Sequence, residues 1–160
     1  LYACKNAKVT LYSEAPIENI EATTTTGVSV YNAATGDLDF SININSFKFP
    51  KALMQEHFNS DYMESDKYPR ASFKGKINEK IDVSKDGIYP VTVTGDLNVH
   101  NVTQHRTIPG KLNVKGGVVT MTSEFMVKCA DHHITIPRLV FHNIAESLKI
   151  TVSATYAVSK

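Results

Sequence analysis

Apolar and polar residues alternate along most of this chain with a period of two. The clearest run is Asp37 to Ser46, where Leu38, Phe40, Ile42 and Ile44 take one set of positions and Asp37, Asp39, Ser41, Asn43 and Asn45 the other. Successive side chains of a strand point to opposite faces, so such a run has one dry side and one wet side. The same alternation marks Val9 and Leu11 within Lys8 to Ser13, and Ala71, Phe73, Gly75 and Ile77. It returns at Val91, Val93, Gly95, Leu97 and Val99 within Ile88 to His100, at Val119, Met121, Phe125 and Val127, and at Leu148, Ile150, Val152, Ala154 and Tyr156. Ile17 to Tyr31 is rich in β-branched residues and reads as a further extended region interrupted at Thr26-Gly27. Arg106 to Val114 carries Pro109-Gly110, which predicts a bulge or an edge position. Asp131 to Pro137 reads as a short extended piece, and Arg138 to Ser147 as a less regular stretch with room for a helical turn. Turns are predicted at Asn32 to Gly36, at Asp86-Gly87, around Asn101 to Thr103 and at Gly116-Gly117.

One long segment, Phe47 to Gly75, breaks the alternation. Pro50 stands where a helix can begin, and Leu53, Met54, His57 and Phe58 follow at helical spacing. Tyr68-Pro69 restores extended backbone, because the residue before a proline disfavours the helical region. The pattern therefore predicts an all-β chain of about eight antiparallel strands with one short helical cap. Several strands run to about 10–13 residues, beyond the usual 5–6, which favours an up-and-down barrel over a sandwich. An interior of this size is either packed solid or able to hold one small ligand. Large inward residues (Phe40, Phe73, Phe125) mixed with small ones (Ala71, Gly75, Gly95) point to unfilled volume. The small residues equally suit relief of strain, with the helix as a plug, and the pattern leaves both readings open.

Composition removes several functions. The chain has 160 residues with a net charge of +1 and a sequence pI near 7.9, so no single-sign field is available for nucleic acid or an acidic membrane. Its length corresponds to one domain over residues 1–160. No apolar run approaches the roughly 20 residues of a membrane-spanning helix. The sequence lacks a GxSxG elbow, an HExxH pair, a GxGxxG turn and a phosphate-binding glycine loop. The carboxylates Asp61, Glu64 and Asp66 are followed by Lys67 and Arg70, which describes a solvated, charge-mixed cap rather than an acid/base pair. Six histidines raise metal binding as an alternative. His100 and His105 flank a turn and can meet across a hairpin, whereas the adjacent His132 and His133 would diverge in a strand. Cys4 and Cys129 are too far apart for a CxxC motif and are a candidate disulfide outside the cytosol. Leu1 to Cys4 loosely resembles a lipoprotein cleavage box, although Tyr2 is bulky for it and the strand pattern begins almost at once.

Four stretches taken together resemble the YceI-like family of bacterial lipid-binding proteins. They are Leu53-Met54-Gln55-Glu56-His57-Phe58, Met63 to Pro69, Ala71-Ser72-Phe73, and Val93 to Thr103. The last matches the pattern G-x-L-x-x-H-G-V-T at Gly95, Leu97, His100, Val102 and Thr103, with Asn101 in place of the glycine. Asn tolerates left-handed backbone, so the turn survives that change. The family's basic-aromatic-glycine segment near the C-terminus is not recognisable in Ile136 to Phe141. The resemblance spans nearly the whole chain. It implies a lipocalin-like antiparallel barrel, export to the periplasm or secretion, and non-enzymatic binding, storage or transport of a polyisoprenoid or isoprenoid quinone with no required cofactor. The expected wall residues are Phe40, Ile42, Ile44, Phe73, Val93, Leu97, Met121, Phe125, Ile150 and Val152, with Leu53, Met54 and Phe58 closing one end. Two rivals stand beside this reading: an interaction module with a packed core, and a metal protein or enzyme built on the histidines. The oligomeric state is left open, a homodimer included.

Overall fold

The computed structural model describes residues 1–14, 20–134 and 147–158. Eight strands follow one another around a closed antiparallel barrel: β1 (Tyr2–Ser13), β2 (Ile20–Tyr31), β3 (Asp37–Asn43), β4 (Arg70–Ile77), β5 (Gly87–Val99), β6 (Val102–Lys115), β7 (Val118–Lys128) and β8 (Ser147–Val158). Each strand pairs with its sequence neighbours, and β1 also pairs with β8 through Val9↔Val152 and Leu11↔Ile150 to close the ring. The alternation read from the sequence is the alternation of burial: Leu38, Ala71, Phe73, Ile77, Val91, Val93 and Leu97 are all buried between exposed or half-buried neighbours.

Local chemistry moves several boundaries. β1 starts at Tyr2, ahead of Lys8, because Cys4 and Ala7 also turn inward. β2 runs through Thr26-Gly27 without a break, and the irregularity falls on β1 instead, whose register slips between Cys4 and Ala7 and again before Val9. A Cβ on Gly27 would stand 3.1 Å from the Ala7 Cβ, so the glycine absorbs that slip. The β5–β6 hairpin turns at His100-Asn101, one residue earlier than the sequence suggests, with φ of 56° and 58°. Gly116-Gly117 makes the β6–β7 turn as expected, with φ of 56° and 80°. Two-residue hairpins with both central φ positive match the right-handed twist of the strands. Asp86-Gly87 is not a tight turn: β4 and β5 are joined by a longer loop whose own turn is built on Asp82, which accepts from the Ser84 and Lys85 amides. Asp131 and His132 belong to a short 3-10 turn, Cys129–His132, rather than to an extended piece. Ile136, the altered family segment and residues 138–146 of the stretch expected to have room for a helical turn lie outside the described residues, while Ser147 already belongs to β8.

Cys4 and Cys129 are not joined. They are buried in two different apolar clusters, Cys4 with Tyr31, Leu112 and Tyr156, and Cys129 with Leu11, Phe47 and Phe58. The Cys4 Sγ instead faces the Asn6 Oδ1 at 3.4 Å.

The cap occupies the place where β3 is short. β2 pairs with β3 only from Val28 to Tyr31. Farther along, Thr23 exchanges backbone hydrogen bonds with Lys48 (3.2 and 2.9 Å), and the Thr24 and Ser46 hydroxyls meet at 2.7 Å. The last three residues of the expected strand form a 3-10 turn instead, Ile44–Ser46, that swings the chain across the barrel end. The helix α1 (Ala52–His57) begins two residues after Pro50, with Lys51 as its cap, and continues as a π-turn, Phe58–Tyr62. Met54 and Phe58, one turn apart, are buried and stabilise the cap by about 1.5–3 kcal/mol each. The far side of the cap is held by His100 at the β5–β6 turn. Its Nε2 lies 3.2 Å from the Glu64 Oε1, its Nδ1 lies 3.1 Å from the His132 carbonyl, and its ring centroid lies 4.3 Å from that of Tyr68. Both ring nitrogens face acceptors, so the charged imidazolium satisfies both of them and the neutral ring one. Lys67, 3.3 Å away, and then His100 hold the Glu64 carboxyl below its ordinary value.

Two outcomes follow from this construction. Gly95→Ala should cost about 1–3 kcal/mol of overpacking strain in urea unfolding, because its Cβ would overlap the Lys74 carbonyl on β4; a variant as stable as the parent would contradict that close approach. Glu64 is stabilising in its ionised form, so its contribution is complete above the ordinary carboxyl value and is lost as pH falls through the lowered one. Thermal melts from pH 6 to pH 3 should therefore fall less steeply for Glu64→Gln than for the parent, and parallel curves would show that the Glu64–His100 contact does not hold the cap.

Candidate functional site

The barrel and its cap enclose a cavity of about 160 Å³. A water needs roughly 10–15 Å³ measured the same way, so the space is on the order of ten waters. Its walls come from every strand but β2: Val9 and Leu11 of β1, Leu38 of β3, Ala71 of β4, Val91 and Val99 of β5, Ile108 of β6, Val127 of β7 and Leu148 of β8, with Phe47 and Met63 from the cap. Among the described residues no carboxylate, imidazole, amine or guanidinium lines it; Ser72, Ser123 and Cys129 are the polar exceptions. Such a surface, as described, pairs no Ser or Cys with an imidazole or carboxylate base. It offers contact with carbon.

The residues expected in the wall fall where the period-two pattern puts them. Phe40, Ile42, Ile44, Phe73, Val93, Leu97, Met121, Phe125, Ile150 and Val152 all line the cavity, and so does Phe58 from the cap. Leu53 does not: it is 60% exposed on the outer face of α1. Met54 is buried but packs behind the lining rather than on it. A helix of six residues offers one narrow stripe inward, and Met54 and Phe58 fill it. Phe47, Met63, Cys129 and Ile134 were missed because they sit in turns, where no period marks the inward positions. Leu38, Val91, Ile108 and Leu148 carried the alternation signal and could have been found from it.

Beyond the cavity lining, the barrel interior is packed with aromatic rings. Tyr31 and Tyr156 are 1% and 2% exposed, with centroids 6.2 Å apart. The Tyr156 hydroxyl meets the Ser29 hydroxyl at 2.6 Å, and Ser29 in turn donates to the Asp39 carbonyl. Burial pushes the Tyr156 phenol up to about 12, so this buried hydroxyl is neutral across the physiological range. The described histidines do not gather: His105 pairs with Asp96 at 2.9 Å on the outer surface, away from His100, while His132 is buried with its Nδ1 2.9 Å from the Val102 carbonyl. Among the described residues no group of three or more His, Cys, Asp and Glu is placed to hold a metal ion. No helix among them is long and apolar enough to cross a membrane.

The same architecture occurs in solved structures of low sequence identity. BcnA of Burkholderia cenocepacia is 18% identical, with a TM-score of 0.77 over 95% of this chain and 96% of that one. A polyisoprenoid-binding domain from Saccharophagus degradans is 11% identical, with a TM-score of 0.79 over 99% and 98%. A YceI protein of Campylobacter jejuni is 21% identical, with a TM-score of 0.64 over 91% and 90%. These likenesses establish a shared barrel. No curated protein sequence gives a significant match. Residues 5–156 match the family model of the YceI-like domain, and with the barrel, the cap and the His100 turn in place the chain belongs to the YceI-like family.

Proposed function

We propose that this protein is a non-enzymatic carrier or store for a long apolar lipid of the polyisoprenoid or isoprenoid-quinone type, acting in the periplasm or outside the cell. The observation that carries the reading is the cavity itself, bounded by Phe40, Phe73, Val93, Met121 and Phe125 and almost free of polar atoms. A long alkyl or isoprenoid chain gains about 0.8 kcal/mol for each CH₂ removed from water, so a tunnel of this kind binds without any charged contact. Met63 and Met121 add adaptable thioether side chains at two points of the wall. Membership of the YceI-like family and the barrel shared with a polyisoprenoid-binding domain support the same ligand class. A packed interaction module would not need this unfilled interior.

Val93→Trp tests the reading, because Val93 is 6% exposed and faces the cavity. Native mass spectrometry of gently purified parent protein should show a non-covalent adduct of lipid mass. The Val93→Trp protein should show that adduct reduced at least tenfold while its circular dichroism still reports a folded barrel. A folded variant that retains the adduct undiminished would overturn the assignment.

A further inference from the structure

The barrel wall has a slot between β6 and β7. These strands are bonded only from Gly110↔Ser123 to Lys115↔Val118. Toward Val102, β6 keeps its ladder to β5 as far as Val99↔Val102, but it has left β7. The two edges are rejoined beyond the slot, where the Gln104 Nε2 donates to the Asp131 carbonyl at 2.7 Å. Pro109 begins the separation. It has no N–H to offer a neighbouring strand, and its carbonyl accepts from the Ser123 hydroxyl at 2.7 Å. Pro109, Gly110, Ser123 and Phe125 all line the cavity, so the cavity reaches this slot.

Arg106 stands in it. Along β6 the inward positions are Arg106, Ile108, Gly110, Leu112 and Val114, and Ile108, Leu112 and Val114 are buried. With Gln104, half-buried on the same face, Arg106 forms the polar end of an otherwise apolar series, and it alone carries a charge there. It is half-buried, and its guanidinium carbon lies 5.3 Å from the centroid of the Phe125 ring. The acidic side chains of the flanking strands are committed elsewhere: Asp96 of β5 faces His105 at 2.9 Å, and Glu124 of β7 faces Lys149 at 3.4 Å. Among the described residues no carboxylate pairs with Arg106. A guanidinium stacked on an aromatic ring keeps its in-plane N–H groups for a planar or tetrahedral oxyanion.

Resting on the proposed lipid-binding role, we infer that the polar end of the ligand sits in the β6–β7 slot, and that Arg106 selects a chain ending in an oxyanion over the same chain with an uncharged end. The chemistry is shared by a carboxylate and a phosphate. Competition in native mass spectrometry tests it with two probe pairs, geranylgeranyl phosphate against geranylgeraniol, and palmitate against hexadecanol. The parent should prefer the anionic member of at least one pair by about tenfold or more, as charge-assisted hydrogen bonds require, and the pair that shows it identifies the head. Arg106→Gln should bring that preference close to unity while leaving the uncharged probe bound within about twofold, and Arg106→Lys should keep part of it. Equal binding of both members by the parent would overturn the inference, as would an equal loss of both in Arg106→Gln, which would make Arg106 a mere plug for the slot. If the parent binds none of the four probes, it is the lipid-binding reading that falls.

Discussion

Everything in this structure depends on closing the ladder between β1 and β8. A strand at an open edge leaves a row of backbone N–H and C=O groups without partners, and a closed ring removes both edges at once. Closure also fixes the circumference. With eight strands the inward side chains just meet across the middle when they are large. Here Ala71 is a small member of the lining, while the space beside Gly75 and Gly95 is taken by the Phe73 ring and the β4 backbone. The cavity lies where the ring is lined by Ala71 and branched or aromatic side chains that do not meet across it.

Two polar junctions stand outside the cavity lining. In one, the Tyr156 and Ser29 hydroxyls meet within the buried core. At the other, His100 links the β5–β6 turn to Glu64 of the cap and to the backbone of the Cys129–His132 turn. That single ring touches three separate pieces of chain around the cavity rim, and Met63, which lines the cavity, is the residue next to Glu64. The motif that singled out His100 in the sequence thus corresponds to a junction between the β5–β6 turn and the cap.

The strands and the cavity wall were legible in the sequence because a period of two has a single physical meaning in a one-layer barrel: alternate residues see the inside. Phe40, Val93 and Ile150 are placed by that rule alone. The cap was less legible. Helical spacing groups Leu53 with Met54 and Phe58, yet a six-residue helix lying across a barrel end buries only a narrow face, and Leu53 is left outside. Phe47 and Met63 are inward for reasons of tertiary path that no local period records. Cys4 and Cys129 illustrate the same limit, since pairing depends on where two distant segments lie around the ring, and these lie in separate clusters. The separation of β6 from β7 was foreshadowed by Pro109, but the sequence alone did not show that an arginine would occupy the gap.

The chain order of the barrel has a consequence for when its interior comes into being. β1 is the first strand made and β8 the last, and they are neighbours. Leu148, Ile150 and Val152 of β8 complete the wall. During synthesis the growing chain can form hairpins such as β5–β6 from local contacts, but it has no enclosed interior until β8 has left the ribosome. Any guest of that interior can therefore be enclosed only after β8 has joined β1.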